Sequence, residues 1–221
     1  MPSNITLHYF HGRGIGEAIR LIFAAGNVSF EDRRYTIDEF RELTALKEKF
    51  PFGQMPTLEV DGRFIGQTDS IARLAARIAG LYPESPLVAA ESDMIVVQQA
   101  EIQKAIARLS FDGVPGAPGT QMYPEQERKL RIAEWFESDL PGLLQRLEQL
   151  IKGPFYSGGD MSWADIAVFA RLTQILDTDA STLAGRYPKL IAVEQAVRER
   201  PEIARWINDH QEDYPRFQTA S

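Results

Sequence analysis

The stretch ITLHYFHGRGIGEAIRLIFAAG, residues 5–26, combines two periodicities. Its first five residues alternate between apolar and polar side chains, which predicts a β-strand over 5–9. After a glycine-rich turn at 12–14, apolar residues recur at helical spacing as far as Gly26, which predicts a helix that ends there. The chain therefore begins with a strand, a tight turn and a helix.

The rest of the first 80 residues completes a small α/β unit. Residues 28–34 predict a second strand, and the charged segment 38–49 predicts a short helix or an ordered loop. Asp61-Gly62 separates two apolar runs within 57–65, which indicates a hairpin. A helix with one apolar stripe follows and ends at Gly80. This order differs from the repeated βαβ units of a dinucleotide-binding fold.

Most of the chain beyond residue 88 has helical periodicity. The segment 81–89 carries two prolines and no clear period, which is typical of a linker. We expect Pro141-Gly142 to kink or divide the second long helix, and 111–121 to be an exposed loop. The predicted helices cover 89–110, 124–152, 162–177, 188–199 and 201–209. The predicted fold class is therefore α/β plus all-α, with an α/β domain at 1–82 and an all-helical domain at 88–221.

The composition and net charge argue against several classes of function. The 221 residues are 44% hydrophobic, which is enough to build a substantial core. The 24 basic and 31 acidic residues give a net charge of −7, which argues against nucleic acid or an anionic membrane as a partner. The absence of cysteine excludes thiol nucleophiles, CxxC pairs and disulfides. No apolar run has the length of a membrane span and no signal pattern opens the sequence, so we expect a cytoplasmic protein.

The turn at residues 12–17, GRGIGE, is not a nucleotide-binding loop. It lacks the GxGxxG spacing, and no Lys-Ser/Thr pair follows as in a P-loop. We interpret the glycines as residues that permit a tight strand-to-helix turn. The turn nevertheless places backbone N–H groups at a helix N-terminus, where negative charge is stabilised.

Other features allow a structural interpretation beside a functional one. Pro56 suits the start of a strand, whereas a cis Met55–Pro56 bond would leave the Met55 backbone free to pair with an extended peptide. The segment SWAD at 162–165 is a variant of the capping box that starts a buried helix. No metal site is expected, because the three histidines lack carboxylates at ligand spacing: His8, His11 and His210.

Three segments in this order resemble the cytosolic glutathione transferases. They are YFHGRG with EAIR at 9–20, PFGQMPTLEVDG at 51–62 and QTDSIAR at 67–73. The sigma class, which includes the glutathione-dependent prostaglandin D synthases, is the most similar class. The resemblance implies a thioredoxin-like domain followed by an all-α domain, as the periodicity also predicts. It also implies glutathione as a co-substrate, with no other cofactor.

The resemblance gives single residues a role. Tyr9 matches the tyrosine whose hydroxyl donates a hydrogen bond to the glutathione sulfur. Lys47 matches a lysine that holds the glycyl carboxylate, and Phe40 is the nearest candidate for an aromatic contact at the same end. The remaining implied contacts lie at the cis-proline, where the Met55 backbone pairs with the cysteinyl unit, and at the start of the following helix: Gln54, Met55 and Pro56, then Gln67 and Thr68.

Some positions depart from the pattern of the family. Ile15 stands where an arginine is common, the segment 40–50 is longer, and an acidic cluster early in the helical half is reduced to Asp93. The last change argues against prostaglandin isomerisation as the specific activity. We expect the electrophile to bind between the turn and the first long helix, against Phe10, Ile15, Leu109 and Phe111.

The sequence therefore predicts a glutathione S-transferase. The Tyr9 hydroxyl and the N–H groups of the turn would stabilise the glutathione thiolate for attack on a small hydrophobic electrophile. One alternative is hydroperoxide reduction or isomerisation by the same thiolate, and another is a non-catalytic ligand-binding or structural protein of the same fold. The resemblance also implies a homodimer, with Phe52, Arg73 and Arg77 as candidate contacts.

Overall fold

The first part of the chain forms a four-stranded mixed sheet. In this computed structural model the described residues are 2–111, 124–178, 183 and 185–214, with the backbone alone at 106–111 and 178. The spatial order is β2-β1-β3-β4, with β1 parallel to β2 and antiparallel to β3. The strands are β1 (Ile5–Phe10), β2 (Glu31–Tyr35), β3 (Thr57–Val60) and β4 (Arg63–Gly66).

Four helices join and cover these strands. They are α1 (Glu17–Ala25), α2 (Ile37–Glu42), α3 (Thr44–Lys47) and α4 (Thr68–Ile78). The charged segment predicted as one helix or a loop forms the two short helices α2 and α3. The hairpin prediction is correct: Asp61 and Gly62 both have positive φ angles, 47° and 79°, between β3 and β4. The second strand starts at Glu31, three residues later than its apolar pattern predicted.

The second part of the chain is helical. Its helices are α5 (Pro86–Phe111), α6 (Glu125–Ser138), α7 (Leu140–Gln149), α8 (Trp163–Thr178), α9 (Pro188–Arg198) and α10 (Pro201–Asp209), followed by a short 3-10 turn (Gln211–Asp213). The predicted helix over 124–152 is divided just before Pro141, which lies in the first turn of α7, where its missing N–H costs nothing. Most of the predicted loop at 111–121 lies outside the described residues. The domain limits at 82 and 88 stay a prediction.

Strand β1 is buried on both faces, although only one face was predicted to be apolar. Ile5, Leu7 and Tyr9 face the core, but His8 on the other face is 0% exposed as well. The His8 Nδ1 atom lies 2.9 Å from the Tyr35 hydroxyl, and its ring packs on Phe50. Burial lowers the pKa of His8. This histidine therefore has a packing role.

Candidate active site

Tyr9 lies near the end of β1, with its hydroxyl under the following turn. The side chain is 8% exposed, and its oxygen accepts a hydrogen bond of 3.1 Å from the Ile15 N–H. A Cβ atom at Gly14 would lie 2.5 Å from this oxygen, and one at Gly16 would lie 2.4 Å from the ring. Both glycines are therefore required by the close approach of the ring, and Gly14 also by its positive φ of 44°.

The surroundings of Tyr9 keep its phenol protonated. Burial raises the pKa of Tyr9, and the Ile15 N–H and the nearby charges of Arg20 and Arg171 offset this only in part. Since the oxygen already accepts from Ile15, the hydroxyl hydrogen remains available to an acceptor in the site. The arrangement thus provides a neutral donor suited to an anion.

Arg20 on α1 stabilises the turn between β1 and α1. Its guanidinium is buried and donates to the Phe10 carbonyl at 3.2 Å and the Gly12 carbonyl at 2.7 Å. It also pairs with Glu17 at 3.1 Å and Asp32 at 3.0 Å. A cation that binds two carbonyls and two carboxylates fixes the backbone between β1 and α1, and hence the position of Tyr9.

Residues near the C-terminal end of the described chain contact Glu17 and Arg34, which lie beside Arg20. Glu17, 0% exposed, accepts hydrogen bonds from the Trp206 indole at 3.0 Å and from the Tyr214 hydroxyl. Arg34 on β2 bonds Asp213 at 2.6 Å. The helical part therefore braces the turn as well as covering it.

Helix α8 contacts the turn from the other side. Arg13 pairs with Asp177 and donates to Thr173 at 3.2 Å. The Gln174 side chain donates to the Gly14 carbonyl at 2.8 Å across a separation of 160 residues. No residue of α8 was predicted to belong to the site, because no local sequence pattern links this helix to the turn.

Ring contacts link Phe40 and Lys47 to the end of β1. The Phe10 ring meets the Phe40 ring edge-on at 5.4 Å, and the Lys47 ammonium lies 4.5 Å from the centre of the Phe40 ring. Phe10 in turn contacts Tyr9, with ring centres 5.6 Å apart. A line of aromatic contacts thus joins the phenol to a half-buried cation.

The segments before β3 and α4 complete the candidate site. The Met55–Pro56 bond is cis, and Met55 lies before the paired residues of β3. The Gln54 carbonyl accepts a hydrogen bond of 2.7 Å from the Thr57 hydroxyl. Gln67 has a positive φ of 69°, and Thr68 then begins α4. The first N–H groups of α4 have no partner within the helix, which favours an anionic group there.

Two of the four residues predicted to line the electrophile site can be located beside Tyr9. Phe10 and Ile15 are both partly buried and both contact or bond Tyr9. The side chains of Leu109 and Phe111 lie outside the described residues, so their role stays a prediction. Within the described residues, no group of three or more His, Asp or Glu side chains could hold a metal ion. No described helix is long and apolar enough to cross a membrane.

Comparison with known proteins identifies the protein family. The chain matches the family models described as "Glutathione S-transferase, N-terminal domain" over residues 5–77 and "Glutathione S-transferase, C-terminal domain" over 118–210. Glutathione S-transferase S1 of Drosophila melanogaster is 34% identical over 94% of this chain and 79% of its own length. Hematopoietic prostaglandin D synthase of Gallus gallus is 32% identical over 94% and 96%. The chain therefore belongs to the glutathione S-transferase family.

A solved structure supports the same assignment. The pi-class glutathione S-transferase of Onchocerca volvulus superposes with a TM-score of 0.80 at 26% identity, covering 95% of this chain and 94% of that one. The predicted fold class, a thioredoxin-like domain followed by a helical domain, is confirmed, as is the predicted family. The roles of single site residues stay predictions.

Proposed function

We propose that the chain is a glutathione S-transferase in which the Tyr9 hydroxyl stabilises the glutathione thiolate for attack on a small hydrophobic electrophile. The observation that carries the proposal is a buried phenol that stays protonated and whose oxygen is already held by the Ile15 N–H. Glutathione is the co-substrate, and the chain needs no other group for this step.

The energies are sufficient for this chemistry. A thiol of pKa about 8.5 is mostly protonated at neutral pH, whereas the nucleophile is the thiolate. Lowering this pKa by about two requires about 2.7 kcal/mol of preferential stabilisation of the anion. One hydrogen bond to a charged acceptor contributes about 1.5–3 kcal/mol, and a helix N-terminus about 0.3–1 kcal/mol more. Tyr9 and the start of α1 therefore supply enough without a general base.

The tripeptide would extend from Tyr9 in two directions. We place its glycyl carboxylate at Lys47, with Phe40 beneath the ammonium, because these two side chains already contact each other. Its γ-glutamyl end would lie at Gln67 and Thr68, at the start of α4. Between them, the cysteinyl backbone would pair with Met55, which is not used by the sheet.

Tyr9→Phe tests the proposal. The ring stays and only the hydroxyl is lost, so the pKa of the bound thiol should rise by about one to two. Activity near pH 6.5 should fall at least about 10-fold, and the pH–rate profile should move to higher pH by the same amount. Ultraviolet absorbance of the bound thiolate reports the shift without turnover.

The matched control is Tyr187→Phe. Its hydroxyl donates to the Pro141 carbonyl at 3.2 Å within the helical domain, so the same chemical change occurs far from the turn. This variant should leave the thiol pKa unchanged. An unshifted profile in Tyr9→Phe would overturn the role of Tyr9. A wild-type protein that binds glutathione without ionising its thiol below pH 8 would instead support a non-catalytic protein of this fold.

We also propose that the chain forms a homodimer through the face that carries Phe52. The Phe52 side chain packs over Gly66 but is 60% exposed, so it presents an apolar surface on the α/β domain. Of the two expected cations, Arg73 bonds Asp93 of its own chain at 3.1 Å, and Arg77 stacks on Tyr82 at 4.2 Å. Phe52 is therefore the stronger candidate contact.

Sedimentation of the wild-type protein should give a species of twice the 24.9 kDa chain mass. Phe52→Ser should move it toward the monomer, while Leu130→Ser, at an apolar side chain 70% exposed on α6, should not. A wild-type monomer at micromolar concentration would contradict the dimer.

A further inference from the structure

Helix α8 carries a buried arginine opposite the β1–α1 turn. Arg171 is 4% exposed, and its guanidinium donates to two neutral amide oxygens, Gln99 Oε1 at 3.3 Å and Gln174 Oε1. Within the described residues it has no carboxylate partner. Since a buried charge without a counter-charge is costly, such a residue calls for an explanation beyond packing.

A chain of hydrogen bonds leads from this guanidinium to the Tyr9 phenol. Arg171 donates to Gln174 Oε1, and Gln174 Nε2 donates to the Gly14 carbonyl at 2.8 Å. The N–H of the same peptide unit, that of Ile15, donates to the Tyr9 hydroxyl oxygen at 3.1 Å. We call these three hydrogen bonds, through Gln174 and the Gly14–Ile15 peptide, the relay. Each donor in the relay points away from the cation and toward the phenol.

Such an arrangement is cooperative. An amide whose oxygen accepts from a cation becomes a better donor at its nitrogen, and each following bond is polarised in the same sense. The last group, the Tyr9 hydroxyl, is made more acidic and so donates more strongly to an anion. Direct attraction between the buried guanidinium and that anion acts in the same direction.

Among the described residues, the other arginines that contact the turn already have carboxylate partners. Arg13 pairs with Asp177, and Arg20 pairs with Glu17 and Asp32. The charges that act on Tyr9 are those of Arg20 and Arg171, and Arg13 acts on Arg171 in turn. Burial lowers the pKa of Arg171 to about 9, which leaves it a cation at neutral pH. Among the described residues, Arg171 is therefore the arginine on this side of Tyr9 that has no carboxylate partner.

We propose that Arg171 is a positioning residue of the transferase reaction, acting through Gln174 and the Gly14–Ile15 peptide to strengthen Tyr9 as the donor to the glutathione thiolate. The inference rests on the function proposed above. It assigns to α8, a helix of the C-terminal domain, a share in activating a thiol bound by the N-terminal domain.

The test is a double-mutant cycle on the full-length protein, read out as the pKa of bound glutathione from thiolate absorbance. Arg171→Met removes the charge, whereas Gln174→Met keeps the charge and breaks the relay. We expect the first to raise the thiol pKa by about one and the second by about half as much. The double variant should not exceed Arg171→Met, because both act along one path.

A merely structural role would change stability without moving this pKa. Arg131→Met is the matched control, since it removes an arginine that pairs with Glu127 on the surface of α6. An unchanged pKa in Gln174→Met, or shifts that add in the double variant, would overturn the relay. If the wild-type bound thiol titrates near 8.5, the proposed function itself fails, whereas a low wild-type value that both variants leave unchanged overturns the relay alone.

Discussion

The two ends of the candidate glutathione site are held in different ways. At the thiol end, the Ile15 N–H bonds the Tyr9 hydroxyl oxygen, and the turn is held by hydrogen bonds from Arg20 on α1 and from Gln174 on α8. At the glycyl end, α2 and α3 contain no buried residue, and Lys47 rests on one aromatic ring. From this contrast we expect the chemical step to depend on fixed geometry, and binding at the far end to tolerate looser support.

The largest effect is expected at the thiol end, where one added methyl group would collide with the Tyr9 ring. Gly16 has an ordinary φ of −78°, so Gly16→Ala is allowed by the backbone, but the new Cβ would lie 2.4 Å from the Tyr9 ring. Overpacking of this kind should lower the free energy of unfolding by about 1–3 kcal/mol. Activity should fall at least about 10-fold, because the hydroxyl is displaced. Denaturant unfolding and kcat measure the two effects.

The matched control is Gly142→Ala on α7, where a Cβ atom would meet nothing within 4 Å. That change should stabilise the protein by about 0.5–1 kcal/mol through helix propensity and leave activity unchanged. Full activity and stability in Gly16→Ala would show that Tyr9 is free to move, and the contrast between the two ends would be lost.

A smaller effect is expected at the glycyl end of the candidate site. Lys47→Ala should weaken glutathione binding by about fivefold, since a partly exposed ion pair contributes about 1 kcal/mol. The maximal rate should change less than the affinity, because the glycyl carboxylate is remote from the sulfur. Calorimetric binding and steady-state kinetics separate the two quantities.

Lys49→Ala is the control, since this exposed lysine lies two residues further along the chain. Equal affinity in the wild-type protein and in Lys47→Ala would mean that the cation beside Phe40 does not meet the carboxylate. The match of Lys47 to the lysine implied by the resemblance would then be wrong, because the segment 40–50 is longer than in the family.

The same contrast explains how far the sequence predicted this site. Tyr9 and Lys47 lie in or close to the local segments that resemble the family, so a role could be predicted for each from that resemblance. Gln174 contacts a turn 160 residues away and Arg171 contacts Gln174, but their spacing on α8 is that of any amphipathic helix. Contacts formed only by the packing of the two halves leave no periodic signal.

The fold was more predictable than the site, and its errors have local causes. The hairpin and most helices follow turn chemistry and periodicity. The start of β2 was misplaced because Val28 and Phe30 are apolar but pack against the core outside the strand. Pro141 was expected to kink or divide the long helix over 124–152, and the structure divides it at Asp139, just before that proline.

The smallest effect is expected from the cap of α2, which supports Phe40. The Thr36 hydroxyl accepts from the Glu39 N–H at 3.2 Å, while the Glu39 carboxylate accepts from the Thr36 N–H at 2.6 Å. Thr36→Ala removes half of this exposed box, so the amides of α2 should exchange about fivefold faster in deuterium exchange. Glutathione affinity should fall about twofold or less, and kcat should not change. Ser at position 36 should restore the wild-type exchange, because it supplies the same hydroxyl. If exchange instead accelerates in α1, or kcat falls, motion at the glycyl end reaches Tyr9 through Phe10 and Phe40, and the two ends are one coupled unit.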